Sequence, residues 1–504
     1  MNSIRFVLIG GLAGTLLGGC AVGPDYKRPA APVPAQYKEL PGWTQATPAD
    51  AAPKGDWWTA FHDPLLDQLE PQVAVSNQTV RQDYANYQQA LAEVRVAYAQ
   101  LFPSIGVTGS VTRSGGGSTS TGGSGGVLNS GSLQGTAAWT PDIWGAVRRL
   151  IEENAATAQA SEATLANATL SEQTLLATTV IELRLADADI DLERKTVDAY
   201  KEALRVVQAQ GAASITATPP SAVITAQVAL ESAQANLIGL GVARAQYAHA
   251  IAVLVGKNPE ELDIPFSTLM PALPEVPVGV PSTLLQRRPD IAAAERTMAA
   301  QNAAVGVAVA AYYPNISLSA ADGFSQAPLH DLLSAANHVW SIGASGTETL
   351  FDFGERHAEV AAAQAGYEGA VASYRGTVLT AFQNVENDLS GLRILADQAH
   401  ALDTAVTDAI RGSQIAMAEF KAGTVDYTTV AAAQETQLAD QQSALGVQQS
   451  RLVDAVSLIG DLGGGWSDSQ LHNPRHLPLP SPTDSPPIAA VVEAVTPAPA
   501  DAPK

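Results

Sequence analysis

The chain has 504 residues, and its 50 acidic side chains outnumber its 28 basic ones to give a formal net charge of −22. A surface that binds nucleic acid is basic, so this balance argues against nucleic acid as a partner. The chain contains one cysteine, which excludes an internal disulfide, and the fold must depend on packing or assembly.

The first twenty residues have the layout of an exported lipoprotein leader. One positive charge, Arg5, precedes an apolar run from Phe6 to Leu17, which is shorter than the roughly 20 residues that a membrane-spanning helix needs. This layout predicts a signal peptide over residues 1–19, and we expect no helix of the mature chain to cross a membrane. The order Leu-Gly-Gly-Cys ending at Cys20 resembles a bacterial lipobox, which predicts a diacylglycerol and an N-acyl lipid on this residue. The alternative is a stray thiol in a discarded leader.

Both ends of the mature chain lack hydrophobic periodicity. Residues 20–56 are rich in proline and alanine and predict an extended, lipidated arm. Residues 467–504 contain PRHLPLPSPTDSPP and predict a disordered tail rich in proline and alanine. His472 and His476 in this tail have the spacing of metal ligands but no partner residues, so we expect no metal site.

An internal repeat fills the region between the arm and the tail. LFPSIGVTGS, which begins at Leu101, matches YYPNISLSAA, which begins at Tyr312, with an offset of 211 residues. Further along, Gly145 of WTPDIWG matches Gly354 of TLFDFGE with an offset of 209 residues. The repeat predicts two similar units, over residues 57–270 and 271–466.

Heptad spacing marks long helices in both units. Apolar residues alternate steps of four and three along residues 80–101 and 367–385. This spacing is typical of left-handed coiled-coil packing, although the core stripes of an ordinary helical bundle share it. No proline interrupts residues 145–210 or 355–422, and at about 1.5 Å per residue each stretch predicts a helix on the order of 100 Å long.

Short segments between the helices alternate polar and apolar residues. SIGVTGSVT and SLQGTAAWT in the first unit have this pattern, as do the segments around Ile316 and Ile342 in the second. Each has about the ten-residue length of a transmembrane barrel strand, although the edge of a soluble sandwich shares the pattern. Four strands cannot close a barrel, and an open sheet edge cannot face lipid. The pattern therefore predicts that several chains share one barrel.

Several motifs in this order carry a family resemblance. They are CAVGPDYKRP at Cys20, DWWTAFHDPLLDQL from Asp56, RRPDIAAAERTMAAQNAAVGVAVAAYYPNISLSA from Arg287, LFDFGE from Leu350, YRGTVLTAFQNVENDL from Tyr374 and LGGGW from Leu462. Together they resemble the outer membrane factor family, the TolC-like channels of tripartite efflux systems. The resemblance is to its lipoprotein branch, the OprM-like and NodT-like proteins.

The resemblance implies a mainly α fold with a small β part. Each chain of a homotrimer would give four strands to a shared twelve-stranded transmembrane barrel and long antiparallel coiled-coil helices to a periplasmic tunnel. The protein would be the passive channel component of a tripartite efflux pump that exports small toxic compounds. It would be lipid-anchored in the bacterial outer membrane and extend into the periplasm.

The implied partners are a periplasmic adaptor protein, an inner-membrane pump of the RND type and outer-membrane lipid. No enzymatic activity and no cofactor beyond the lipid on Cys20 are implied. A lipid-anchored coiled-coil scaffold without a pore and an exported enzyme are the alternatives. The scaffold does not explain the four alternating strands, and the sequence shows no constellation of reactive side chains that would support an enzyme.

The resemblance places the periplasmic aperture and the adaptor contacts where the helices reverse. In the second unit this reversal is EFKAGTVDYTTV, and the candidate residues are Gly423, Thr424, Asp426 and Tyr427. Glycine can end a helix in the left-handed conformation, and aspartate can cap the next one, so plain turn chemistry is the alternative reading. The family commonly carries an acid where this chain has Ala432, and Asp426 is the candidate to replace that ring of acids.

The reversal in the first unit is QAQGAASITATPPSAVITAQ, with Gly211 and Ser214 as the corresponding candidates. It is a few residues longer than the family pattern and carries Pro219 and Pro220, which stiffen a turn and suit the start of a helix. We expect this loop to tune the choice of adaptor; a harmless insertion is the alternative.

Overall fold

The computed structural model describes residues 21–31, 33–39, 56–115, 127–213, 220–274, 284–327 and 331–474. The predicted signal peptide, Cys20, Ser214 and residues 475–504 lie outside the described residues. Within them the chain is mainly helical with one small antiparallel sheet, which confirms the predicted fold class.

The first unit contains four helices and two strands. They are α1 (Pro64–Ser76), α2 (Gln78–Ala99), β1 (Ser104–Gly115), β2 (Val127–Trp139), α3 (Ala146–Ala213) and α4 (Pro220–Leu254). A buried 3₁₀ turn, Trp57–Phe61, precedes α1. The helix α3 is 68 residues long, or about 100 Å.

The second unit repeats this order. After a single helical turn at Leu284–Arg287 come α5 (Pro289–Ala310), β3 (Asn315–Gln326), β4 (His338–Thr347), α6 (Glu355–Ala422) and α7 (Tyr427–Asp461). The helix α6 is also 68 residues long, and α4 and α7 have 35 residues each. The two long uninterrupted helices occupy the two proline-free stretches of the sequence.

In each unit two shorter helices stack end to end beside the long one. The Asn77 side chain caps the start of α2 and donates a hydrogen bond to Leu254 O at the end of α4 (2.9 Å). In the second unit Arg288, just before α5, donates to Asp461 O at the end of α7 (2.9 Å). The two joints occupy equivalent places, so the duplication extends to the way the helices meet.

The helix α3 lies at the centre of the helical part. It packs against α1, α2, α4, α5 and α7, while α6 packs against α5 and α7. The main hydrophobic core joins these helices to the turn before α1, and its largest fully buried side chains include Phe61, Leu176, Ile251 and Tyr374.

The sheet has the strand order β1-β2-β3-β4, and every neighbouring pair is antiparallel. Ser104 pairs with Ala138 in the first hairpin, and Asn315 pairs with Thr347 in the second. Trp139 pairs with Leu318 where the two hairpins meet. Among the described residues each outer strand has a partner on one side only, so both edges of the sheet are open there.

The predicted arm follows the helices as an extended strap, defined by residues 21–39 apart from residue 32. It begins at the junction of sheet and helices, where Val22 N donates to Trp144 O (3.1 Å). It ends on α6, where the backbone N–H groups of Lys38 and Glu39 donate to the Glu386 carboxylate (2.6 and 3.0 Å). The sequence predicted its extended form but not these contacts, which join residues far apart in the chain.

One helix among the described residues is long and apolar enough to cross a membrane. This is α4, with a mean hydropathy of 1.4 over its most apolar window, whereas the sequence pattern predicted no such helix after the leader. The helix lies against α3 in the helical part of the molecule. Its outward face exposes Ile224, Ile238 and Val242.

Candidate functional site

The reversal between α6 and α7 is built from backbone hydrogen bonds. Gly423 caps the end of α6 directly after Ala422; its φ of 77° is left-handed, and its N–H donates to Phe420 O (3.0 Å). The N–H and the hydroxyl of Thr424 both donate to Glu419 O (3.0 Å each). The left-handed conformation strains any residue with a Cβ, which accounts for glycine at this position.

Asp426 caps the start of α7, as the sequence predicted. Its Oδ1 accepts hydrogen bonds from Thr428 Oγ1 (2.7 Å), Thr429 Oγ1 (3.0 Å) and Thr429 N (3.2 Å). These donors, led by the Thr428 hydroxyl, hold the pKa of Asp426 below its usual range. The exposed carboxylate is therefore fully ionised at neutral pH.

Tyr427 lies inside the tip of the helical part and not on its surface. Its side chain is 2% exposed, and its ring packs edge-on against Phe420 at 5.8 Å. Ala203 and Val207 of α3 belong to the same small core, as does Ala226 of α4. The ring fastens the two helical hairpins together, and in this arrangement it is not accessible to another protein.

Polar contacts join the ends of the two long helices. Gln210 Nε2 donates to Phe420 O (3.0 Å), and Lys421 lies 4.0 Å from Glu202. The helix α3 continues through Gly211 to Ala213, so Gly211 lies within a helix and not in the turn itself. Pro220 is the first residue of α4, the position at which proline suits a helix.

Ala432 is exposed on α7, a little more than one turn beyond the tip. Among the candidates at this tip, Asp426 supplies the only carboxylate, and Gly423, Thr424 and Asp426 are the exposed ones. The roles predicted for these residues at the aperture and in adaptor contact remain predictions.

The faces of the sheet differ sharply in chemistry. One face, which we call the apolar face, carries in strand order Ile105, Val107, Val111, Leu133, Ala137, Trp139, Ile316, Leu318, Phe324, Trp340 and Ile342. Most of these large side chains are exposed, Ile105 by 83% and Ile342 by 79%. Such a continuous exposed band on strands of this length is the pattern expected of a barrel surface that faces lipid.

The opposite face, which we call the hydroxyl face, is lined mainly by serine and threonine. Ser110 and Ser132 share a hydrogen bond of 2.8 Å across β1 and β2, and Ser317 and Ser345 share one of 2.7 Å across β3 and β4. The described strand residues put no charged side chain on this face. Charged and ionisable groups lie instead at the outer end of the apolar face, where His338 contacts Asp322 (2.9 Å).

A cluster of carboxyl groups at the joint between α5, α6 and α7 escaped the sequence analysis. Burial, together with the neighbouring Asp461 and Asp454, raises the pKa of Asp388 to about 8. Arg288 donates to Asp461 Oδ1 (2.7 Å) and to Asp290 Oδ2 (2.7 Å). The RRPDI motif thus has a structural role: Arg288 pairs with Asp290 of the motif itself and with Asp461, which lies at a helix end 173 residues later in the chain.

No group of three or more His, Cys, Asp or Glu side chains suited to a metal ion occurs among the described residues. His472, which the sequence left without a partner, bonds to Glu162 on α3.

Comparison with known proteins agrees with this geometry. The family model described as outer membrane efflux protein matches residues 69–257 and 280–464. The toluene efflux pump outer membrane protein TtgC of Pseudomonas putida is 30% identical over 455 residues, which are 90% of this chain and 94% of TtgC. The cation efflux system protein CusC of Escherichia coli is 27% identical over 460 residues, 89% of this chain and 96% of CusC.

Among solved structures, the outer-membrane channel OprN superposes with a TM-score of 0.82 at 28% identity. The match covers 89% of this chain and all of the OprN chain. The similarity therefore includes both the helices and the sheet.

Proposed function

Because this chain belongs to the outer membrane efflux protein family, we propose that three copies of it enclose one continuous duct from the periplasm to the cell exterior. The chain is an outer-membrane channel component of an efflux pump and extends into the periplasm. In the proposed trimer each copy supplies four of twelve strands, and the long helices line the tunnel below them.

The observation that carries this proposal is a sheet with two open edges. β1 and β4 each have one strand partner, and the band of large apolar side chains lies on one face only. In lipid the unpaired N–H and C=O groups of an open edge would cost several kcal/mol each. Closure with other copies satisfies them and turns the hydroxyl face toward a water-filled interior.

In this proposal the chain forms the path for export but does not select the exported compound. TtgC is named for toluene and CusC for cations, so relatives of one architecture serve chemically different compounds. The hydroxyl face described above offers hydrogen bonds without fixed charge, which suits passage of small compounds of either sign. We assign this chain the export of small toxic compounds, with the choice of compound and the driving energy supplied by an inner-membrane pump.

The lipid anchor fits the start of the strap. Val22 is tied to Trp144 at the place where β2 passes into α3, and two residues of chain span at most about 7 Å. Acyl chains on Cys20 would therefore enter the membrane beside the barrel. Mass spectrometry of the mature N-terminus tests this, and a free, unacylated thiol there would refute it.

The adaptor is assigned to the opposite end of the helices. Gly423, Thr424 and Asp426 are exposed there, whereas the buried ring of Tyr427 supports the turn from inside. An adaptor of an RND-type pump would contact this turn and the residues around Ser214. Cysteine at Thr424 should crosslink to the adaptor, and cysteine at Gly412, about three turns before the end of α6, serves as the control.

Conductance in planar bilayers tests the duct itself. The purified protein should give steady single-channel steps, because a closed barrel holds a permanent water path. A correctly folded trimer that remains electrically silent with the adaptor bound would favour the scaffold without a pore.

A further inference from the structure

The two open edges of the sheet carry matching chemistry. In the part of the chain that the structure describes, β1 bonds only to β2, and β4 bonds only to β3. On both edge strands the apolar residues alternate with serine, threonine and glycine, and every residue of both strands is exposed. If β4 of one copy pairs with β1 of the next, the remaining question is which residues lie opposite each other.

The internal repeat predicts the register of the sheet correctly where it can be checked. Applying the two offsets of the repeat, Ser104 corresponds to Asn315 and Ala138 to Thr347. Ser104 pairs with Ala138 in the first hairpin, and Asn315 pairs with Thr347 in the second. The duplication has therefore preserved strand register without a shift of even one residue.

The same rule applies to the seam between copies. Within the chain, β2 and β3 join the first unit to the second, and between chains β4 and β1 would join the second unit to the first unit of the next copy. Thr136 pairs with Ala321 in the internal joint, and the equivalent residues are Ser345 and Ser110. We propose that Ser345 of β4 lies opposite Ser110 of the partner subunit; this inference rests on the proposed trimer and adds the register of its seam.

On the hydroxyl face this register continues a line of hydrogen bonds. Ser317 bonds to Ser345 in one copy, and Ser110 bonds to Ser132 in the other. With Ser345 opposite the partner's Ser110, four hydroxyl groups stand in one row across the seam. Hydroxyl pairs across strands stabilise antiparallel sheets, so the seam has the same chemistry as the hairpins that it joins.

On the apolar face the register brings a cation to an aromatic ring. Leu133 pairs with Phe324 in the internal joint, and its equivalent places Ile342 opposite the partner subunit's Arg113. This arginine is then diagonal to Trp340, which pairs with Asp322. A guanidinium beside an indole ring is attracted to its face, and the partner's Arg113 adds a positive charge near Asp322.

Matching the strand ends gives a competing register. It places Thr347 opposite Ser104 of the partner subunit and displaces β4 by four residues, which preserves the two faces. It also sets Ser345 against the partner's Gly106, which breaks the row of hydroxyls, and His338 against the partner's Arg113, which brings two basic groups together. Side-chain alternation alone cannot separate the two registers, whereas the repeat favours the first.

Paired cysteine substitutions distinguish them. Residues directly opposite each other have Cα atoms about 4.5–5.5 Å apart, within the span of a disulfide. A displacement of four residues separates them by roughly 13 Å. The variant Ser110→Cys/Ser345→Cys should form covalent trimers on mild oxidation, whereas Ser110→Cys/Ser341→Cys, which tests the competing register, should stay separable in SDS. The parent chain, whose one cysteine is Cys20, is the control for unrelated thiols.

Covalent trimers of the second variant would overturn the proposed register. So would the absence of covalent trimers from both variants, if the protein purifies as a trimer. A protein that purifies as a monomer in mild detergent would overturn the trimer and with it the proposed duct. A separate measurement tests the contact between Trp340 and the partner subunit's Arg113. Arg113→Ala and Trp340→Leu should each lower the temperature at which SDS separates the trimer. In the double variant this temperature should fall by less than the sum of the two single decreases. A decrease equal to that sum would exclude the contact.

Discussion

Glu70 on α1 is the most completely buried acid described here without a partner. Its side chain has no exposed surface, and neither carboxyl oxygen accepts or donates a hydrogen bond among the described residues. Burial raises its pKa to about 9. The group is therefore neutral at physiological pH, because an isolated charge in this apolar core would cost far more than holding the proton.

This proton makes stability depend on pH. The unfolded chain loses it near the ordinary pKa of 4.5, whereas the folded protein keeps it up to about 9. The free energy of unfolding therefore falls as pH rises between these values, by up to about 1.4 kcal/mol per pH unit.

Glu70→Gln removes this titration and should raise the unfolding temperature more at pH 8 than at pH 5, measured by tryptophan fluorescence. Glu359→Gln, at an exposed position on α6, is the control. An equal change at both pH values would show that Glu70 is charged in the folded protein.

Gly423 and Gly412 allow a comparison of two glycines near one end of α6. Gly423→Ala forces a Cβ into a left-handed conformation and should cost about 1–2 kcal/mol. Gly412 lies inside the helix with open space around its missing Cβ, so Gly412→Ala should stabilise by up to about 1 kcal/mol. Chemical unfolding of both variants checks the opposite signs; destabilisation by both would mean that the tip conformation is not the cause.

At the scale of helices and strands, local sequence patterns predicted where the helices and strands lie, because residue spacing and proline content determine them. Heptad spacing located α2 and part of α6, the lack of proline located α3 and α6, and alternation located the four strands. The sequence did not show that Glu70 is buried, since this depends on how α1 packs against α3. Nor did it show that Tyr427 points inward, because its place is set by side chains from α3 and α4.

Arg288 carries the joint between α5 and α7 and provides a test at this scale. Arg288→Ala should destabilise the protein by about 3 kcal/mol, because it leaves Asp290, Asp388 and Asp461 close together without their cation. Adding Asp461→Asn should recover part of the loss in thermal unfolding. Arg411→Ala, at an exposed position on α6, is the control, and a loss as large as that of Arg288→Ala would argue against a specific joint.

For the whole molecule, substitutions on the two faces of the sheet test whether the apolar face contacts lipid and the hydroxyl face contacts water. Ser319 and Ala320 are neighbours in β3 on opposite faces. Ser319→Lys should insert normally and shift the reversal potential of the channel toward anions, because it adds a positive charge inside the barrel. Ala320→Lys should reduce the amount of protein in the outer membrane, since lysine on the lipid face costs about 2–4 kcal/mol at mid-depth. If Ser319→Lys reduced the amount of protein in the membrane and Ala320→Lys changed the reversal potential, the hydroxyl face would be the one that faces lipid.

The strap also has a bearing on the order of events in biogenesis. Lys38 is made and exported early, but the carboxylate that accepts a hydrogen bond from its N–H belongs to Glu386, 348 residues later. The hydrogen bonds between the strap and Glu386 therefore cannot form until most of the polypeptide has crossed the inner membrane. Its docking is therefore a late step in the folding of each copy.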